Sequence, residues 1–218
     1  MARVGVILSG CGYLDGAEIQ ESVFTLLALD RAGAEVSCFA PDLAQRKVVN
    51  HLTGAEQAES RNVLVESARI ARGKIRDVAE AKASDLDALI LPGGFGAALN
   101  LCDFAVAGPG CTVDPGVEAL VRAVHAAGKP IGAICIAPAL IAKLLGDDGV
   151  EVTIGNDPGT AAAIERMGAH HCDCAVDAFV VDREQKVVTT PAYMLGPGPK
   201  DVAAGIERCV AETLALIG

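Results

Sequence analysis

"KPIGAICIAPALIA", residues 129–142, is the stretch whose reading decides the fold. Pro130 to Ile134 is an apolar run of strand length, and residues 136–145 follow at helical spacing, so a buried strand hands over directly to a helix. Cys135 stands at the handover. The residues two before and two after it are both alanine, Ala133 and Ala137. A strand-to-helix turn of the nucleophile-elbow kind needs small residues at these offsets, and it aims its central side chain into the crevice above the sheet. Pro138 suits the first helical turn, where a missing N–H costs nothing. A thiol at that point faces the positive end of the helix dipole, which favours the thiolate. The blander alternative is a structural cysteine packed at a strand end.

Outward from this unit the chain repeats the same alternation. "RVGVIL" (3–8) reads as a buried strand. Residues 16–32 read as a helix, with Ile19, Val23, Leu26 and Leu27 at helical spacing and Gly33 as its stop. Further strands are expected at 34–40, 87–92, 151–155, 179–182 and 186–190, and further helices at 115–127 and 201–216. Strands alternating with helices give an α/β fold with a mainly parallel sheet covered on both faces. The expectation is one domain over 1–218. Two segments, about 42–83 and 95–114, are longer than plain connections and are read as insertions. The first carries a helical pattern in "RNVLVESARIA"; the second is Gly-rich and irregular.

Composition narrows the classes. Of 218 residues 51% are apolar, aromatics are 3% and there is no Trp, so the core is aliphatic. The net charge of −10 comes without a basic cluster, which argues against nucleic-acid binding. No apolar stretch reaches the roughly 18 residues a membrane span needs. "LSGC" (8–11) resembles a lipoprotein cleavage box, but Val4 to Leu8 is too short for a signal core. The eight cysteines (11, 38, 102, 111, 135, 172, 174 and 209) lie partly inside apolar runs and fit a reducing compartment. A cytoplasmic protein is expected.

In an open parallel sheet, ligands bind beyond the carboxyl ends of the strands where the strand order reverses. Three loops leave such ends with unusual composition: "SGCGYLDG", "LPGGFG" and "CIAP". Gly93 and Gly94 bring backbone N–H groups without side-chain obstruction, and the N–H of Ile136 follows the cysteine, so an oxyanion could be held there. The alternative is a plain turn. Asp15 with Glu18 resembles an N-capping box. Glu21, one turn on, could act as acid or base at Cys135, but its spacing alone fits a first-turn dipole residue better. Cys11 stands on the same rim as a possible second thiol. "HHCDC" (170–174) is rich in ligand types, yet its spacing matches no standard zinc pattern and no metal is expected. "GCGYLDG" and "GGFGAAL" both fail the dinucleotide fingerprint, and no phosphate loop is present.

These residues also carry a family resemblance. "LPGGFGAALN", "GAICIAPA" and the strand order resemble the PfpI/ThiJ superfamily of class I glutamine-amidotransferase-like folds. Within it, "GVILSGCG", "DGAEIQES", "CFAPD", "NHLTG", "RNVLVESARIARG", "CTVD", "TIGND" and "VVTTPAYML" are similar to the ElbB group of isoprenoid-biosynthesis glyoxalases, over essentially the whole chain. The resemblance implies a flavodoxin-like three-layer sandwich and a homodimer. It implies that Cys135 is the elbow cysteine, that Glu21 hydrogen-bonds it, and that Gly94 and Ile136 are the oxyanion donors. It implies a glutathione-independent glyoxalase that converts glyoxal to glycolate through a hemithioacetal, with no cofactor. Peptidase-like members carry a histidine directly after the cysteine. Here that residue is Ile136, and Asn156 and Asp157 stand where some relatives carry one. A Cys–His triad is therefore not expected, and activity should be weak. The rival readings are a redox-sensing or regulatory protein built on Cys135, and an amidotransferase-like subunit.

Overall fold

The structure is a computed structural model that describes residues 1–218. In chain order the elements are β1 (Arg3–Ile7), α1 (Ile19–Arg31), β2 (Glu35–Ala40), α2 (Val63–Ile70), β3 (Ile75–Asp77), β4 (Ala88–Leu91), α3 (Phe95–Leu99), α4 (Phe104–Ala107) and α5 (Pro115–Ala126). There follow β5 (Ile131–Ile134), α6 (Ala137–Leu145), β6 (Glu151–Val152), α7 (Pro158–Arg166), β7 (His170–His171), β8 (Val180–Asp182), β9 (Val187–Thr190) and α8 (Pro199–Ala215).

Seven strands form one sheet in the order β3-β2-β1-β4-β5-β9-β8. All neighbours are parallel except β8 and β9, which pair antiparallel. This is the flavodoxin-like three-layer α/β architecture. The chain moves outward from β1 through β2 to β3, then returns to lay β4 on the other side of β1. The reversal falls between β1 and β4, which brings the loops after β1, β4 and β5 to one crevice.

Side-chain alternation along the strands divides the core. Leu89, Leu91, Ile131, Ala133 and Val187 face a larger cluster completed by α5 and α6. Val4, Val6, Leu8, Ala88 and Ile90 face a second cluster completed by α1 and α8. Such two-sided burial explains why the strands read as continuous apolar runs. Lys129 and Pro130 lead into β5. The Lys129 ammonium donates to Ala83 O at 2.7 Å and Leu86 O at 2.6 Å, closing the turn that feeds β4. Lys129→Met should lower unfolding free energy by about 1–3 kcal/mol, because two carbonyls lose a charged donor. Urea denaturation checks this, and an unchanged midpoint would show the ammonium to be replaceable by water.

Several expectations are adjusted. The helix expected over 16–32 begins at Ile19, and its N-cap is Glu18, whose carboxylate accepts the Glu21 N–H at 2.6 Å. Asp15 instead accepts the Val49 N–H at 2.7 Å, so Asp15 and Glu18 do not form a capping box. The strand expected over 151–155 shortens to β6, which pairs only with β7, outside the main sheet. The ligand-rich 170–174 segment leaves strand geometry after His171, whose ring accepts the Ile154 N–H at 3.3 Å. The 42–83 segment supplies α2 and the edge strand β3. The 95–114 segment folds into α3, α4 and a short turn.

Candidate active site

The elbow forms as its small flanking residues allow. Cys135 sits at φ +64°, a left-handed conformation that costs a non-glycine residue free energy and persists only where surrounding structure enforces it. The enforcement is visible: Cys135 N–H donates to Thr190 O at 2.9 Å, extending the β5–β9 ladder to the turn itself. Ile136 then caps α6, with Pro138 in its first turn.

Glu21 enters from α1 and is wholly buried. One carboxylate oxygen accepts Gly93 N–H at 3.0 Å, the other Tyr193 N–H at 3.1 Å. The second donor comes from a turn after β9 in which Ala192 is held at φ +45°. Gly93 lies between carboxyl and thiol. A Cβ there would stand 2.3 Å from the Cys135 Cβ and 2.7 Å from Glu21 Oε2, so only glycine lets the two groups meet. Gly94, at φ +95°, would place a Cβ 2.3 Å from the Glu18 nitrogen. The N–H groups of Gly94 and Ile136 both face the Cys135 sulfur.

The electrostatics revise the expectation of a dipole-favoured thiolate. Burial raises the Glu21 carboxyl to about 8, with the Tyr193 and Gly93 N–H groups pulling the other way. Burial also pushes the Cys135 thiol well up, as does the Glu21 charge, while the Gly94 and Ile136 N–H groups oppose the rise. Two negative charges are therefore not held together here. The pair carries one at most, and the thiolate is the minority form in which Glu21 holds the proton.

Above the sulfur lies a pocket of about 350 Å³. Its walls come mostly from Tyr13, Phe95, Phe104, Tyr193 and Met194, with Thr160 at one side and Glu18 as its single carboxylate. No histidine, lysine or arginine lines it. Asp157 caps α7 by accepting the Thr160 N–H at 2.7 Å and brings no imidazole to the site. Cys11 does not line this pocket; the Glu66 and Arg69 charges act on it instead. Sequence reasoning missed Tyr193 and Glu18 as parts of the site. A Gln or Glu at a helix start is a cap signal, so Glu18 was readable as a cap. Nothing local marks Tyr193.

A cysteine on a strained strand-to-helix turn, with a buried carboxyl behind it and a doubly covered parallel sheet beneath, defines a cysteine-elbow protein of the amidotransferase-like class. The chain belongs to the DJ-1/PfpI family, which matches it over residues 11–193. It is 50% identical over 227 residues to the human mitochondrial glutamine amidotransferase-like class 1 domain-containing protein 3, covering all of this chain and 84% of that protein. It is 48% identical over 227 residues to the mitochondrial ES1 protein homolog of Rattus norvegicus, again covering all of this chain and 85% of the relative. Among solved structures, an isoprenoid biosynthesis protein with an amidotransferase-like domain from Ehrlichia chaffeensis superposes with a TM-score of 0.94 at 37% identity, each chain fully covered. The mitochondrial names of the relatives overturn the cytoplasmic expectation. Free thiols and short apolar runs describe the folded domain and carry no address.

Proposed function

We propose that the protein is a glutathione-independent glyoxalase of the ElbB type, acting on small 2-oxoaldehydes through Cys135. The observation that carries this reading is the pairing of the elbow thiol with a carboxyl raised to about 8, under a pocket with two N–H donors at its floor.

The Cys135 thiolate adds to one aldehyde carbon, and the oxygen that becomes an alkoxide lies against the Gly94 and Ile136 N–H groups. Glu21 gives it a proton, which completes the hemithioacetal. The carboxylate so formed takes the C–H proton from the sulfur-bearing carbon and returns it to the neighbouring carbon through an enediol. The sulfur-bearing carbon is oxidised to a thioester and its neighbour is reduced to an alcohol, so no external electron acceptor is needed. Water then cleaves the thioester, releasing glycolate from glyoxal and restoring the thiol. Without an adjacent imidazole these proton transfers depend on one carboxyl, which fits slow turnover.

The pocket also sets a preference. Its apolar walls offer a substituent a dry surface, and Glu18 disfavours a second carboxylate. At about 25 cal/mol per Å² of apolar area buried, a phenyl group should raise kcat/KM for phenylglyoxal roughly tenfold or more over glyoxal. Glyoxylate should not be turned over, because the carbon beside its aldehyde is already a carboxylate and cannot take up the two electrons that the sulfur-bearing carbon gives up. Following aldehyde loss and hydroxy-acid formation with glyoxal and phenylglyoxal, with glyoxylate as the unreactive control, tests the reading. Protein that consumes neither glyoxal nor phenylglyoxal would remove it.

A further inference from the structure

Two cysteines that the elbow chemistry does not use meet between α3 and α5. The chain doubles back there. Cys102 bridges Val113 in antiparallel fashion. The Asp103 N–H donates to Thr112 O at 3.1 Å, and the Asp114 N–H donates to Leu101 O at 2.8 Å. This pairing sets Cys102 and Cys111 on the two arms of one loop, as diagonal neighbours at its neck. The two thiols influence each other's ionisation in opposite directions. Both residues are buried, Cys102 5% and Cys111 1% exposed.

The two are chemically unlike. The Cys102 S–H and the ammonium of Lys143 hold the Cys111 thiol below the ordinary range. Lys143 is fixed beside it, donating to Pro109 O at 3.5 Å. The same contact, together with burial, pushes Cys102 up, and its Sγ also donates to Ala97 O at 3.3 Å. One member is thus the readier thiolate and the other keeps its proton. The loop they bracket is not remote from function. It contains α4, and Phe104 and Ala105 of α4 line the pocket above Cys135.

We propose that Cys102 and Cys111 are a peroxide-responsive dithiol whose disulfide ties the neck of this loop and fixes the α4 wall of the pocket. The Cys111 thiolate attacks one oxygen of hydrogen peroxide and breaks the O–O bond, leaving a sulfenic acid and a hydroxide that becomes water. The Cys102 sulfur then attacks the Cys111 sulfur. The S–S bond forms, the S–O bond breaks, and the departing hydroxyl leaves as water with the Cys102 proton. The two thiols lose two electrons and two protons in all, and the peroxide becomes two waters. Peroxide is close to water in size, and Cys111, though buried, stands in the chain between the exposed residues Gly110 and Thr112.

The sequence makes the test direct. No Lys or Arg lies between Lys82 and Arg122, so trypsin releases residues 83–122 as one peptide holding these two cysteines and no other. Reduced protein is treated with a few equivalents of peroxide, unfolded in alkylating reagent and digested. The peptide should lose about 2 Da, resist alkylation and recover two alkylatable thiols after reduction. Cys111→Ser protein should keep Cys102 alkylatable, and Cys102→Ser protein should carry Cys111 as a sulfenic or higher acid; neither should show the loss of about 2 Da. Amide hydrogen exchange over 104–110 should slow in the oxidised wild type and stay unchanged in peroxide-treated Cys111→Ser. A wild-type peptide that remains doubly alkylated, or advances to sulfinic acid without linkage, overturns the dithiol. A disulfide without slower exchange overturns its hold on the wall. None of these readings depends on aldehyde turnover.

Discussion

Cys135→Ala protein should leave glyoxal unconsumed, with turnover falling by at least about 10²–10³-fold, to the uncatalysed background. The loss should be purely chemical. Alanine keeps the Cβ and the φ +64° backbone, and the Cys135 N–H to Thr190 O bond is unaffected. Removing the sulfur also removes a neighbour that Glu21 tolerates only while protonated, so the stability change should stay within about 1 kcal/mol. Cys135→Ser should be nearly as inactive, because a hydroxyl beside a carboxyl with no imidazole is scarcely ionised. The measurement is glyoxal consumption against melting temperature for all three proteins. Equal rates in wild type and Cys135→Ala would end the thiol mechanism, whatever the melting curves show.

Glu21→Gln should separate the two roles of the buried carboxyl. Glu21 is raised from its ordinary 4.5 to about 8 in the folded protein. Between those values the folded state holds a proton that the unfolded chain has released. Stability therefore falls as pH rises from about 4.5 through 8, at up to about 1.4 kcal/mol per pH unit from this group. The amide cannot ionise, so the variant should lack that slope. It has a cost of its own, because both carboxylate oxygens accept backbone N–H groups and an amide NH₂ can replace only an acceptor with a donor. Gly93 or Tyr193 then loses a partner, at about 1–3 kcal/mol. Below about pH 5 the variant should be the less stable protein, and with these magnitudes the two should cross between about pH 5 and 7. Turnover should drop about 10²-fold or more at all pH values, since no group remains to move the proton. Denaturation midpoints across this pH range check the first statement. Parallel slopes in the two proteins would mean that Glu21 is ionised throughout.

Much of this architecture was legible in the chain. Strands buried on both faces announce themselves as apolar runs, and "PIGAICIAPA" reads as strand, elbow and helix because Ala133, Ala137 and Pro138 each suit one position of that turn. What escaped had physical reasons. The edge strand β3, "IRD", is short and half polar, so it has no apolar signature. The α7 segment, "PGTAAAIER", opens with Pro-Gly and small residues and reads as loop until Asp157 is seen capping it. Tyr193 reaches Glu21 across a separation of 172 residues, through a turn whose strained Ala192 resembles any other alanine. The dipole argument for Cys135 was sound in sign, but it took no account of full burial beside a second acid.

The site divides between two kinds of chain segment. Sulfur, carboxyl and N–H donors come from strand ends and the helix beginning nearest them, where the vacant position at Gly93 forbids any side chain. Most of the pocket lining comes from α3, α4, α7 and the turn after β9. Evolution can thus exchange Phe95, Phe104 or Thr160 and retune which ligand the pocket accepts without disturbing the Cys135–Glu21 pair. A protein engineer inherits the same freedom, with selectivity and chemistry adjustable on separate dials.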